Sequence, residues 1–99
     1  MTGVNLILNE EGRGAFVLME NGKQIGEMRI GISKDKLIAY HTEVDHAHRG
    51  KGYSGQLLGT MVQYARDHGL KVLPLCPYVL AQFKRHPETY ADIWETFRR

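Results

Sequence analysis

The sequence predicts an α/β chain of the mixed, α+β kind. It should begin with an antiparallel meander of about four strands and continue with a helix, a parallel fifth strand and two short C-terminal helices. Three observations carry this. Short apolar runs alternate with turn residues through the first third, residues 56–68 show helical apolar spacing, and a second short apolar run follows them after a glycine. A strand reached through a crossover helix lies parallel to the one before it, because the helix returns the chain to the same end of the sheet.

Residues 5–8 form the first short strand, ended by the turn-rich Asn9-Glu10-Glu11-Gly12. Residues 13–20 form the second, with Phe16 and Leu18 on one face. Asn21-Gly22 is a two-residue hairpin signal, since both residues tolerate positive φ. Residues 23–32 make the third strand, 33–36 turn the chain, and 37–44 make the fourth. In 56–68 the residues Leu57, Leu58, Met61, Val62 and Ala65 share one helical face, and Gly69 supplies a left-handed cap. Residues 71–75 read as the short buried fifth strand. Pro77 suits the first position of a helix over 77–86, which Pro87 stops. Tyr90, Ile93, Trp94 and Phe97 recur at helical spacing and predict a last short helix, their aromatic stripe serving as core or dimer contact.

Ninety-nine residues suffice for one core, and no repeat or linker divides them, so 1–99 is expected to be a single domain. A hydrophobic content of 42% with 24% charged residues argues against disorder. No apolar run approaches a membrane span, and no charged-then-apolar signal segment opens the chain. The single cysteine, Cys76, excludes an internal disulfide and a cysteine-based metal cluster. These features fit a reducing cytoplasm, a nucleus or organelle being the alternative. A net charge of +2 is too small to imply nucleic acid as a partner.

The chemistry is concentrated between strand four and the following helix, in Val44-Asp45-His46-Ala47-His48-Arg49-Gly50-Lys51-Gly52-Tyr53-Ser54-Gly55. Glycines at a strand-to-helix turn let the backbone approach a ligand, and the helix start presents unpaired N–H groups and a positive dipole end. Arg49 and Lys51 add charge. The expected guest is a phosphate group. Gly50-Lys51-Gly52-Tyr53-Ser54-Gly55 satisfies the dinucleotide fingerprint G-x-G-x-x-G, yet Pro74-Leu75-Cys76-Pro77 stands where an acidic ribose-binding residue belongs. A Walker loop is absent, because no Gly-Lys-Ser/Thr follows at the needed spacing.

Arg49-Gly50-Lys51-Gly52-Tyr53-Ser54 instead resembles the Arg/Gln-x-x-Gly-x-Gly/Ala loop of the GNAT superfamily of acetyl-CoA-dependent N-acetyltransferases, with Ser54 at the final small position. Val44 matches the valine that ends the preceding strand in that family. His-Thr-Glu-Val at 41–44, Pro-Leu-Cys-Pro at 74–77 and Arg-His-Pro at 85–87 are similar to a compact subgroup lacking the usual N-terminal helices. The resemblance covers roughly residues 37–86. It implies acetyl-CoA as donor, its pantetheine arm along Thr42 to Val44 and its pyrophosphate on the loop from Arg49 to Gly55. Lys84 and Arg85 either meet the same polyanion or form a solvated face.

The resemblance also exposes a departure. The family tyrosine that protonates the leaving thiolate falls on Phe83, which carries no proton, and the family asparagine falls on Cys76. Tyr78 or Tyr90 would have to replace it. Cys76, at a strand end and helix start, is either an acetyl-accepting nucleophile or a small core residue. His41 and Glu43 share a strand face and form a candidate base pair, or a polar sheet edge. His46 and His48 lack the partners of a metal site, so no metal is expected. The sequence thus predicts an acetyl-CoA-binding N-acetyltransferase acting on an unidentified amine, as a monomer or homodimer with no membrane partner. The alternative is a CoA-binding module without turnover, acting as a sensor or partner subunit.

Overall fold

The computed structural model describes residues 2–96. Phe97, assigned to the last helix, and the basic pair Arg98 and Arg99 lie outside the described residues. Five strands, β1 (Thr2–Leu8), β2 (Arg13–Glu20), β3 (Lys23–Ser33), β4 (Lys36–Val44) and β5 (Lys71–Pro74), form one sheet in chain order. The first four are antiparallel neighbours, and β5 runs parallel to β4. Between them the chain makes a 3-10 turn, His46–His48, and helix α1 (Tyr53–Asp67). Helices α2 (Pro77–Arg85) and α3 (Pro87–Tyr90) follow β5.

The hairpin reading holds in detail: Asn21 and Gly22 both adopt positive φ, 52° and 82°. Gly69 ends α1 in the left-handed region at 66°. Strand β1 is longer than the sequence predicts. It starts at Thr2, because the register carries pairing on to Thr2 opposite Glu20.

Helix α1 lays Leu57, Leu58, Met61, Val62 and Ala65 on the face of the sheet that carries Phe16, Leu18, Met28, Leu37 and Ala39. Val79 and Phe83 of α2 join the same core. Each of the Leu, Val, Met and Phe side chains taken from water stabilises the fold by about 1.5–3 kcal/mol, so this shared face sets how α1 lies on the sheet.

Strand β4 carries a bulge. Arg29 lies opposite His41 and Ile30 opposite Ala39, which leaves Tyr40 as the extra residue. Without it, His41 and Glu43 would continue the buried row of Leu37 and Ala39. With it, Thr42 and Val44 take that face, and His41 and Glu43 turn to the other.

The last predicted helix is corrected. Helix α3 spans only Pro87–Tyr90, and Trp94 instead forms a parallel bridge with Val72. The cause is the outer edge of β5. Val72 N–H donates to Ile93 O at 2.6 Å and Val72 O accepts from Glu95 N–H at 2.8 Å, so the tail satisfies a strand edge that would otherwise lack partners. The aromatic stripe is still core. Phe83 is fully buried, stacks on Tyr90 at 4.6 Å and meets Trp94 edge-on at 5.7 Å.

Candidate functional site

Strands β4 and β5 are paired only from Lys36 opposite Lys71 to Ala39 opposite Pro74. Beyond that the two strands part: Cys76 N–H closes the last contact on Ala39 O at 2.8 Å, and β4 runs on to Val44 with only β3 beside it. The backbone of 41–44 therefore has one strand edge without a sheet partner. Pro77 locks the first turn of α2 and turns the chain away from β4 at that point.

A cleft of about 680 Å³ opens there. His41, Thr42, Glu43 and Val44 line one side, His48, Arg49, Gly50 and Gly52 to Gly55 the end, and Tyr78 of α2 the remaining wall. Its volume falls within the roughly 300–1,000 Å³ of small-molecule sites.

The loop at its end is built for close approach. Gly50 and Gly52 adopt φ of 81° and 77°, and a Cβ at either would meet no atom within 4 Å, so open space lies over both. Gly52 is the N-cap of α1 and supplies no side chain to its first turn. The first intrahelical bond runs from Gln56 N–H to Gly52 O. Helix α1 thus begins at Tyr53, three residues before the sequence predicts, and Tyr53, Ser54 and Gly55 become its first turn. Their N–H groups are the orphan donors of a helix start, and the three residues line the cleft end. Arg49 and Lys51 are exposed and have no ion-pair partner among the described residues. Arg49 lines the cleft; Lys51 does not.

His41 Nε2 lies 3.0 Å from Glu43 Oε1, both side chains more than half exposed. Tyr78 is half-buried, and burial first, then the neighbouring Tyr90 and Cys76, pushes its phenol above the ordinary tyrosine range. Tyr90 does not reach the cleft, being stacked on Phe83. Tyr53 is likewise raised, by partial desolvation and then by Glu20. Its hydroxyl donates to Glu20 Oε2 at 3.4 Å.

Not every residue singled out in the sequence comes to this place. Cys76 is 1% exposed and packs in the core behind Thr42, outside the cleft lining. Lys84 and Arg85 end α2, some 10 Å along the helix from Tyr78, and do not line the cleft. Glu20 escaped the sequence reading altogether, because nothing local marks a strand-end glutamate as the neighbour of a loop 30 residues away. No group of His, Cys, Asp or Glu among the described residues is arranged to hold a metal. No described helix is long and apolar enough to cross a membrane.

A mixed sheet that parts at one end, with a glycine loop and a helix start at the gap, is the architecture of an N-acetyltransferase fold. The chain belongs to the GCN5-related N-acetyl-transferase family, whose model matches residues 15–93. Among solved structures it is similar to a ribosomal-protein-alanine N-acetyltransferase from Brucella melitensis biovar Abortus 2308. The TM-score is 0.70 at 15% identity, over 100% of this chain and 95% of that one. The ribosomal-protein-S18-alanine N-acetyltransferase from Escherichia coli gives 0.68 at 14%, over 75% of this chain and 66% of that one. A Bacillus anthracis str. Ames protein assigned as a streptothricin acetyltransferase, solved in complex with acetyl coenzyme A, gives 0.60 at 13%. That match covers 78% of this chain and 47% of the other, so the chain spans about half of its length. At such identities the likeness is one of fold. No curated protein matches the chain by sequence.

Proposed function

We propose that this chain binds acetyl-CoA in the cleft between β4 and β5 and transfers the acetyl group to an amine. The parting of the two strands directly beside an open, cationic glycine loop carries this reading. The residues suit the donor. Oriented N–H groups of the first turn of α1, with Arg49 beside them, bind an anionic pyrophosphate without rearrangement. The unpaired backbone edge of 41–44 offers amide-to-amide bonds to a pantetheine arm. Lys51 adds charge at the rim, and Lys84 and Arg85 stay a solvated face.

The donor supplies an activated thioester; the chain supplies position and proton transfer. Glu43 and His41, held together at 3.0 Å, take the proton that an attacking ammonium must lose. Tyr78 donates a proton to the departing sulfur, in place of the tyrosine that Phe83 replaces. Its raised phenol stays protonated at neutral pH, as a general acid must. Transfer is direct from donor to amine, with Cys76 a packing residue behind Thr42.

Titration calorimetry with CoA, followed by an acetylation assay across small amines and peptides, tests this. Binding with turnover on at least one amine supports it. Binding without turnover on any of them returns the chain to the sensor or partner-subunit reading, and absent binding defeats both.

A further inference from the structure

Building on that acetyl-CoA reading, we propose that Glu20 is a positioning residue: its one carboxylate holds both shoulders of the phosphate loop and so sets affinity for the diphosphate of the donor. Glu20 is the last residue of β2, immediately before the Asn21-Gly22 turn, and belongs to the sheet. Its Oε1 lies 3.3 Å from His48 Nε2, and its Oε2 accepts from the Tyr53 hydroxyl at 3.4 Å. His48 closes the 3-10 turn that enters the loop, and Tyr53 opens the helix that leaves it. One side chain therefore grips the chain just before Arg49 and just after Gly52.

Besides Glu20, the two shoulders meet only through a loose, tilted ring contact of His48 with Tyr53, centroids 6.2 Å apart, among the described residues. Residues 49–52 are all exposed, and both glycines have open space where a Cβ would stand. The bonds His48 N–H to Asp45 O and Arg49 N–H to His46 O are internal to the turn, while Asp45 N–H to Ile25 O anchors only its entrance. His48 Nδ1 is buried without a partner, so Glu20 is the ring's one polar side-chain contact among the described residues. A second tie, Gln56 Nε2 to Thr2 Oγ1 at 3.3 Å, supports α1 one turn later but cannot hold the loop. A loop fixed at its shoulders presents its amides in one arrangement. A released loop is competent only part of the time, and apparent affinity falls by that fraction.

Hydrogen exchange and CoA calorimetry on the whole protein as wild type, Glu20→Ala and Glu20→Gln test the proposal. Glu20→Ala should speed amide exchange selectively at His48, Arg49 and Gln56, whose N–H groups make the bonds that flank the loop, and raise the Kd for CoA about tenfold, the competent fraction having fallen by that factor. Glu20→Gln keeps a group able to donate to or accept from both partners, and should restore exchange and bring Kd within about threefold of wild type by the same relation. Wild-type exchange at His48, Arg49 and Gln56 in Glu20→Ala, or a Gln variant no better than Ala, overturns the anchor. A wild-type protein that binds no CoA sinks the donor reading instead, while the exchange data still judge whether Glu20 holds the loop.

Discussion

The Cys76 thiol sits 3.3 Å from the Thr42 hydroxyl, just past the last paired residues of β4 and β5. Either atom can donate, so the contact closes the floor of the gap with a weak hydrogen bond, and Cys76 as a whole is 1% exposed. A nucleophile in that position would have to displace Thr42 first.

Cys76→Ala should therefore keep amine acetylation within a few-fold of wild type and cost about 1 kcal/mol or more of stability through the small cavity left. Intact-mass analysis after incubation with acetyl-CoA should show no stoichiometric adduct at Cys76. A folded Cys76→Ala protein that binds CoA but has lost turnover, together with an acetylated wild-type thiol, would restore the nucleophile.

Gly52 is tested by two substitutions of opposite character. At φ 77° a β-branched residue is strained by about 1–3 kcal/mol, although space for its Cβ exists. Gly52→Val should shift the loop and weaken CoA about tenfold or more, one decade for each roughly 1.4 kcal/mol of that strain. Gly52→Asn, which tolerates the left-handed region, should stay close to wild type. Equal calorimetric affinities for the Val and Asn variants would show that the backbone conformation is irrelevant to binding.

Tyr78→Phe should lower kcat about a hundredfold, the usual scale for a lost proton donor, and leave the KM for acetyl-CoA nearly unchanged. Because burial raises the phenol above its ordinary value near 10, Tyr78 stays protonated through mildly alkaline pH. Any fall in rate between about pH 8 and 9.5 must then come from another group, and the Phe variant should show the same limb. An unaltered kcat in steady-state assays would remove Tyr78 from the reaction.

Arg66 fastens the C-terminal segment to α1, bonding Asp92 Oδ2 at 2.9 Å and Thr89 O at 2.7 Å. The Arg66 hydrogen bond, and then its charge, hold the Asp92 carboxyl below the usual range. With the folded value beneath the unfolded one, the pair contributes above about pH 4 and is lost as pH falls through the folded value. Both groups are substantially exposed, so the contribution is about 0.2–1 kcal/mol. Urea melts at pH 7 and pH 3 should differ less for Asp92→Asn than for wild type. Equal differences would mean that the pair carries none of the acid sensitivity.

The meander, the buried face of α1 and the parallel fifth strand were legible because each rests on a periodicity or a turn residue within a few positions. The glycine loop was legible for the same local reason. What escaped is tertiary. The bulge at Tyr40 leaves no mark in the sequence, yet it decides that Thr42 faces Cys76 while His41 and Glu43 face outward. The first turn of α1 reads as loop in the sequence, because Gly55 and Ser54 are poor helix formers that the packed remainder of the helix carries along. Ile93 and Trp94 have helical spacing, but the open side of β5 claims their backbone. Tyr78 and Glu20 acquire their places only when elements distant in sequence meet.

That hold on Val72 also settles how the sheet meets its surroundings. A strand with unpaired N–H and C=O groups is a template onto which another chain can add. The tail caps one flank of the sheet in the manner of a selvedge, leaving β1, with Ile7 59% exposed, as the flank where lateral growth can begin. Trimming the chain before Ile93 would strip that border and give the sheet two such flanks. Self-association would then be a cost of truncation independent of anything that happens at the cleft.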